Sequence, residues 1–227
     1  MIFLIPSTRD INILKECLDS IIEHSFFNST IIIVRNLEEF SQEDMDACNK
    51  YNSNRITIIY KFFKKYPGQN LGSIYKELIA SLEDNLKDKC MFIEDDDLLL
   101  QDPESIPAGS IANYQALDIE HTVRHQNLTK LLVVPKDLYI KLEKKNNGFQ
   151  LSQMIFPINY LKSLNDNNRS FTFNNQLDND FLLAMGLFPS DSNIQLNKTI
   201  LFKQRAGPRY NNISFSEFNK DDRWNQL

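Results

Sequence analysis

The chain has 227 residues, 42% hydrophobic and 24% charged, with net charge −5 and a pI near 5.3. That composition suits one globular domain with a sizeable core, and the acidic balance argues against broad electrostatic capture of nucleic acid, though not against a local basic groove. No apolar run approaches the roughly 20 residues of a membrane span.

Cys17, Cys48 and Cys90 are odd in number and lack a paired spacing, so they read as reduced thiols of a cytoplasmic protein. Met1 to Pro6 has no basic region and no small-residue cleavage site, so no secretory leader is expected there.

Ile2 to Ile5 is a continuous apolar run and reads as a first buried strand, broken by Pro6-Ser7-Thr8-Arg9-Asp10. Ile11, Leu14, Cys17, Leu18, Ile21 and Ile22 follow at helical spacing, with Asp10 or Ser7 as the cap. Ile31 to Val34 is a second strand ending at Arg35-Asn36. Ser41 to Lys50 is an acidic helix capped by Ser41. Ile56 to Tyr60 is a third strand, and Asn70 to Leu86 a third helix. Strands alternating with helices over the first 100 residues predict an α/β fold with a mostly parallel, doubly wound sheet.

The next stretch, Cys90-Met91-Phe92-Ile93-Glu94-Asp95-Asp96-Asp97, joins an apolar strand to four consecutive acids. A buried strand cannot carry ionised carboxylates through its core, so the acids belong where the strand emerges, at its carboxyl end. Open α/β sheets bind ligands at that edge. Clustered carboxylates repel one another, and a divalent cation with a taste for hard oxygen ligands relieves the repulsion. A solvated acidic turn is the competing reading. If the acids continued the strand, Asp95 and Asp97 would share one face, and Glu94 and Asp96 the other.

Further on, Leu131 to Pro135 reads as a strand, Met154 to Pro157 as a short apolar run, and Ile158 to Leu164 as a helix. Leu177 to Gly186 starts acidic and becomes an apolar helix, and Thr199 to Phe202 is a last strand. His121 and His125 stand at i, i+4 without an adjacent third ligand, and read as a surface pair. Lys61, Lys64 and Lys65 with Phe62, Phe63 and Tyr66 form a basic-aromatic cluster, read as a solvated strand end rather than a nucleic-acid platform.

Several of these segments together resemble the metal-dependent GT-A nucleotide-sugar glycosyltransferases, above all the large inverting family 2. Ile5-Pro6-Ser7-Thr8-Arg9-Asp10 with the helix after it is similar to that family's first strand and helix. Asn70-Leu71-Gly72 resembles its Asn-x-Gly helix start, and Phe92 to Asp97 its Asp-x-Asp strand. Leu177-Asp178-Asn179-Asp180-Phe181-Leu182 resembles its Glu-Asp-x-Asp-Leu segment, and Phe202-Lys203-Gln204-Arg205 a tail motif of some sugar transferases. The chain departs from the pattern at Arg35, where the family usually has an Asp, and at Glu77-Leu78, where an Arg-Asn pair is common.

The resemblance implies a single GT-A domain. Residues 1–100 would form the nucleotide-binding half, 101–210 the acceptor-binding half and 211–227 a polar tail. It implies a nucleoside-diphosphate sugar as donor, Mn²⁺ or Mg²⁺ as cofactor, and a carbohydrate or other hydroxyl acceptor. Metal would fall to Asp95 and Asp97, with Asp96 as the close rival.

Donor contacts would come from Pro6, Ser7, Thr8, Arg9 and Arg35 at the first two strand ends. Asn70, Gly72 and Lys76 on the third helix, with Asp95 and Asp96, would join them. Arg205 and Arg209 flank a glycine and would grip the diphosphate through their guanidinium forks, although a plain surface loop has the same look. Asp178, or else Asp180, would be the base for an inverting transfer, although either also suits a helix cap. Three rivals remain: a nucleotidyltransferase, disfavoured by the glycine-free loop after the first strand; a non-catalytic sugar-nucleotide-binding module; and a transferase acting on nucleic-acid bases.

Overall fold

The computed structural model describes residues 1–67, 69, 71–82, 88–116, 132–143, 152, 154–166 and 192–204. The first half alternates as its sequence predicts: β1 (Ile2–Ser7), α1 (Ile11–His24), β2 (Ser29–Leu37), α2 (Gln42–Asn49), β3 (Ile56–Lys64), α3 (Leu71–Ala80) and β4 (Lys89–Phe92). The order β3-β2-β1-β4 is parallel throughout.

Strands β1, β2 and β4 are buried on both faces, while β3 at the edge is only half-buried. Ile2 and Leu4 pack in one core with α3 residues and with Ile158 and Leu161, while Phe3 and Ile5 pack in a second core with Leu14, Cys17, Leu18 and Ile21 of α1. Period-two side-chain direction thus splits one apolar run between two helical layers.

The second half is of another kind. It contains β5 (Leu98–Leu99), β6 (Ser110–Ala116), β7 (Leu132–Pro135), α4 (Lys136–Glu143), β8 (Met154–Pro157), α5 (Ile158–Asp166) and β9 (Asn193–Gln204). The sheet continues β4-β8-β6-β9-β5, and β7 also pairs with β9. Pairing is antiparallel except between β6 and β9, where the register shifts twice around Asn113.

Strand β9 is much longer than the Thr199–Phe202 expectation, β5 is only two residues long, and β6 carries no apolar run that announces it. The seam between the halves is aromatic. Phe92 of β4 meets Tyr75 of α3 and Phe156 of β8 edge-on, with ring centroids 5.2 and 5.6 Å apart. Among the described residues, no helix is long and apolar enough to cross a membrane.

Candidate functional site

Four parallel strands aim their carboxyl ends at one edge, and the acidic run lies there. Strand β4 ends at Phe92, and the Ile93 amide still bonds the Leu4 carbonyl at 3.1 Å. The chain then turns, with the Asp97 amide donating to the Glu94 carbonyl at 3.0 Å. The strand-like alternation of Glu94 to Asp97 is therefore not found. Four adjacent carboxylates cannot be packed between helical layers, so the ladder stops and the turn carries Asp95, Asp96 and Asp97 in different directions.

Asp95 is 4% exposed and faces the β1–α1 loop. Its Oδ2 accepts from Ser7 Oγ at 2.9 Å, the Thr8 amide at 2.9 Å and the Arg9 amide at 3.0 Å. Its other oxygen lies 3.8 Å from Arg9 Nε, and the same guanidinium pairs with Asp96 Oδ2. Arg9 is half-exposed, so it offsets the acidic turn from the solvent side. Asp10, not Ser7, caps α1, accepting from the Asn12 amide at 2.8 Å. Ser7 is spent on Asp95.

Asp97 is 1% exposed, and Ser152 Oγ donates to its Oδ2 at 2.7 Å. Burial holds its carboxyl well above the usual carboxylate range and the Glu94 charge pushes the same way, while Ser152, the turn amide and Arg9 pull it back. The remaining oxygens, Asp96 Oδ1 and Asp97 Oδ1, are buried and have no hydrogen-bond partner among the described residues. Buried polar atoms are nearly always paired, so two orphans on adjacent carboxylates mark a place built for something else.

Among the described residues, no three His, Cys, Asp or Glu side chains cluster closely enough to hold a metal by themselves. One or two carboxylates completed by phosphate oxygens and water is the usual Mg²⁺ arrangement, and the orphan pair fits it. Cys17 lies beneath the turn, its Sγ 3.6 Å from the Glu94 carbonyl. Burial, then the charges of Asp97 and Asp95, push its thiol far up, so it is not a nucleophile.

Arg35 points inward and is 2% exposed. Its Nε donates to Asp44 Oδ2 at 3.1 Å, Nη2 reaches the same oxygen, and Nη1 donates to Ser7 Oγ and the Arg9 carbonyl, both at 2.7 Å. Asn36 beside it donates to the Phe63 carbonyl at 2.9 Å and Gln69 Oε1 at 3.0 Å, tying β2 to the loop before α3.

Pro6 is buried in β1 opposite Val34, Thr8 offers its amide from an exposed position, Gly72 is buried in the first turn of α3, and Lys76 is exposed. The expectations for Asn70, Asp178, Asp180, Arg205 and Arg209, for the 177–186 helix and for the His121–His125 pair lie outside the described residues. Ser152 and Asp44 were not anticipated as site residues. Ser152 gives no local signal, because its contact spans 55 positions. Asp44 lies in the first turn of the acidic helix that the sequence predicts, and nothing there marks it as a partner of Arg35.

No family model matches the chain, and no curated protein matches its sequence. Solved structures do match. The Staphylococcus aureus protein TarS, residues 1–349, superposes with a TM-score of 0.67 at 12% identity, over 90% of this chain and 60% of that one. The same protein in complex with UDP-GlcNAc gives 0.63 at 12% identity, over 95% of this chain and 60% of that one. The mannosyltransferase PcManGT from Pyrobaculum calidifontis, in complex with GDP-Man and Mn²⁺, gives 0.54 at 11% identity, over 92% and 57%. This chain thus spans about 60% of the length of the TarS fragment. The likeness shows the fold: a GT-A, Rossmann-like sheet flanked by helices, as the sequence resemblance implied.

Proposed function

We propose that this protein transfers a sugar from a nucleoside-diphosphate sugar to an acceptor hydroxyl, with Mn²⁺ or Mg²⁺ held at the acidic turn. The observation that carries the reading is the pair of buried oxygens on Asp96 and Asp97, without partners among the described residues, at the carboxyl end of β4. Structural neighbours solved with UDP-GlcNAc, and with GDP-Man and Mn²⁺, support it.

A bound divalent cation supplies positive charge where a departing diphosphate builds up negative charge. Asp97 and Asp96 present the free oxygens for it. Asp95, with one oxygen taken by three donors, anchors the loop that faces the donor. Arg9 stands half-exposed beside the acids, able to turn its guanidinium to a phosphate. Asp178, or Asp180, is assigned to take the acceptor proton in an inverting displacement, and Arg205 and Arg209 to grip the diphosphate.

Thermal unfolding with UDP or GDP, with Mn²⁺ or a chelator, tests the reading. Nucleotide should raise the melting temperature only with metal, because binding to the native state stabilises it. Slow hydrolysis of a sugar nucleotide would separate a transferase from a non-catalytic module. Identical melting curves with and without nucleotide and metal would overturn the assignment.

A further inference from the structure

Arg35 does a job that the donor reading of it does not describe. It sits at the end of β2, in register with Ser7 of β1 and Phe62 of β3, and is almost wholly buried. Its N–H groups divide between two structures. Nε and Nη2 hold Asp44, in the first turn of α2, whose amide is itself fixed by the Ser41 cap at 3.1 Å. Nη1 holds the loop, through Ser7 Oγ and the Arg9 carbonyl.

The hydroxyl of Ser7 has one proton. With an Arg35 N–H filling its acceptor side, that proton goes to Asp95. The Arg9 residue is likewise fixed at both ends, its amide to Asp95 and its carbonyl to Arg35. The chain of contacts therefore runs from a capped helix through Arg35 and Ser7 to the acidic turn.

From this we infer that Arg35 and Asp44 form a positioning pair. They hold residues 7–9, and through Ser7 the Asp95 carboxylate, in the arrangement from which the acidic turn takes a divalent cation. The functional half of this rests on the transferase reading above; the mechanical half does not. Arg35 acts by geometry rather than by net charge, since Asp44 balances it. A lysine keeps the charge but not the fork, and cannot reach helix and loop together.

The test uses Arg35→Lys, the milder Asp44→Asn, and the double variant in the full chain. Amide hydrogen exchange resolved by NMR should speed up about tenfold or more at Thr8 and Arg9, while Phe3 to Ile5 keep wild-type protection. The double variant should be little worse than the worse single one, because both cut the same chain of contacts.

Titrations of Mn²⁺ alone and of UDP or GDP with Mn²⁺ should be weakened roughly tenfold, as for other residues that orient ligands from behind. Unchanged exchange at residues 8 and 9 would overturn the pair. So would loss of protection across all of β1, which marks a general stabiliser. Altered exchange with unaltered Mn²⁺ affinity would overturn the link to the acidic turn. If the wild type itself bound neither metal nor nucleotide, the transferase reading would fall, and the exchange result would still decide whether the clamp exists.

Discussion

The two halves of the sheet solve different problems. In β3-β2-β1-β4 every strand runs the same way, so the loops at one edge meet, and Ser7, Arg9, Arg35 and Asp95 lock together. In β8-β6-β9-β5 the pairing is mostly antiparallel, and its side-chain contribution seen at the acidic turn is Ser152 on Asp97. The parallel half is a preorganised platform whose strand-end loops are tied together through Ser7, Arg9, Arg35 and Asp95. Asp96 and Asp97 each keep one buried oxygen without a partner among the described residues, and Asp97 meets the second half through Ser152. Asp95 thus closes the platform, and the proposed function gives its two neighbours the cation.

The largest effect tests whether the second half supplies the proton acceptor. Asp178→Asn should slow sugar transfer by about 10²–10⁴-fold with donor binding intact, measured as product formed at saturating donor. If Asp178→Asn is active and Asp180→Asn is dead, the assignment moves by two residues. The seam comes next. Phe92→Ala should cost about 3–5 kcal/mol in denaturant unfolding, because it deletes the ring shared by both halves. A cost near that of a surface change would mean the halves are not joined there.

Ser152→Ala is a smaller probe. It removes a bond to a buried carboxylate and should weaken Mn²⁺ binding roughly tenfold, read by calorimetry, with little change in unfolding.

The last probe leaves the site and concerns the closed interior of the platform. Burial pushes the Cys48 thiol from 9.0 up to about 11, so at pH 8 its thiolate fraction falls about 100-fold and native alkylation should be slow. Cys17 and Cys90, fully buried and shifted the same way, should be at least as inert. Because the folded state holds the Cys48 proton more tightly, its contribution to stability is complete below about pH 9 and is lost as pH rises toward 11. Rapid labelling of all three thiols in native protein would show the platform to be open.

The platform was legible in the sequence because its signals are local. Ile2–Ile5, Ile31–Val34 and Ile56–Tyr60 are β-branched or apolar runs, and the helix between the first two shows its buried face as Leu14, Cys17, Leu18 and Ile21. The Ser41 cap was readable for the same reason, and it is found on the Asp44 amide.

The second half was harder because its strands owe their existence to distant partners. Leu98–Leu99 is a strand only opposite Phe202 and Lys203, and Ser110–Ala116 only beside β9. At the site, the acidic run placed the edge correctly but not the orientation of its members. Whether the run continued as strand or turned depended on the Ser7, Thr8 and Arg9 donors waiting 86–88 positions away. The Arg35–Asp44 pair was not legible, because the sequence does not tell which carboxylate an arginine will meet.

The central claim is that the acidic turn binds a divalent cation together with a nucleoside diphosphate. Calorimetric titration of UDP and of GDP, each with Mn²⁺ or chelator, into wild type and Asp97→Asn tests it most directly. The account predicts metal-dependent binding of one nucleotide in the wild type. In the variant that binding should weaken by at least about 100-fold, beyond what loss of a supporting residue costs, while the chain stays folded. Equal affinity in wild type and folded variant, or binding indifferent to the chelator, would contradict it.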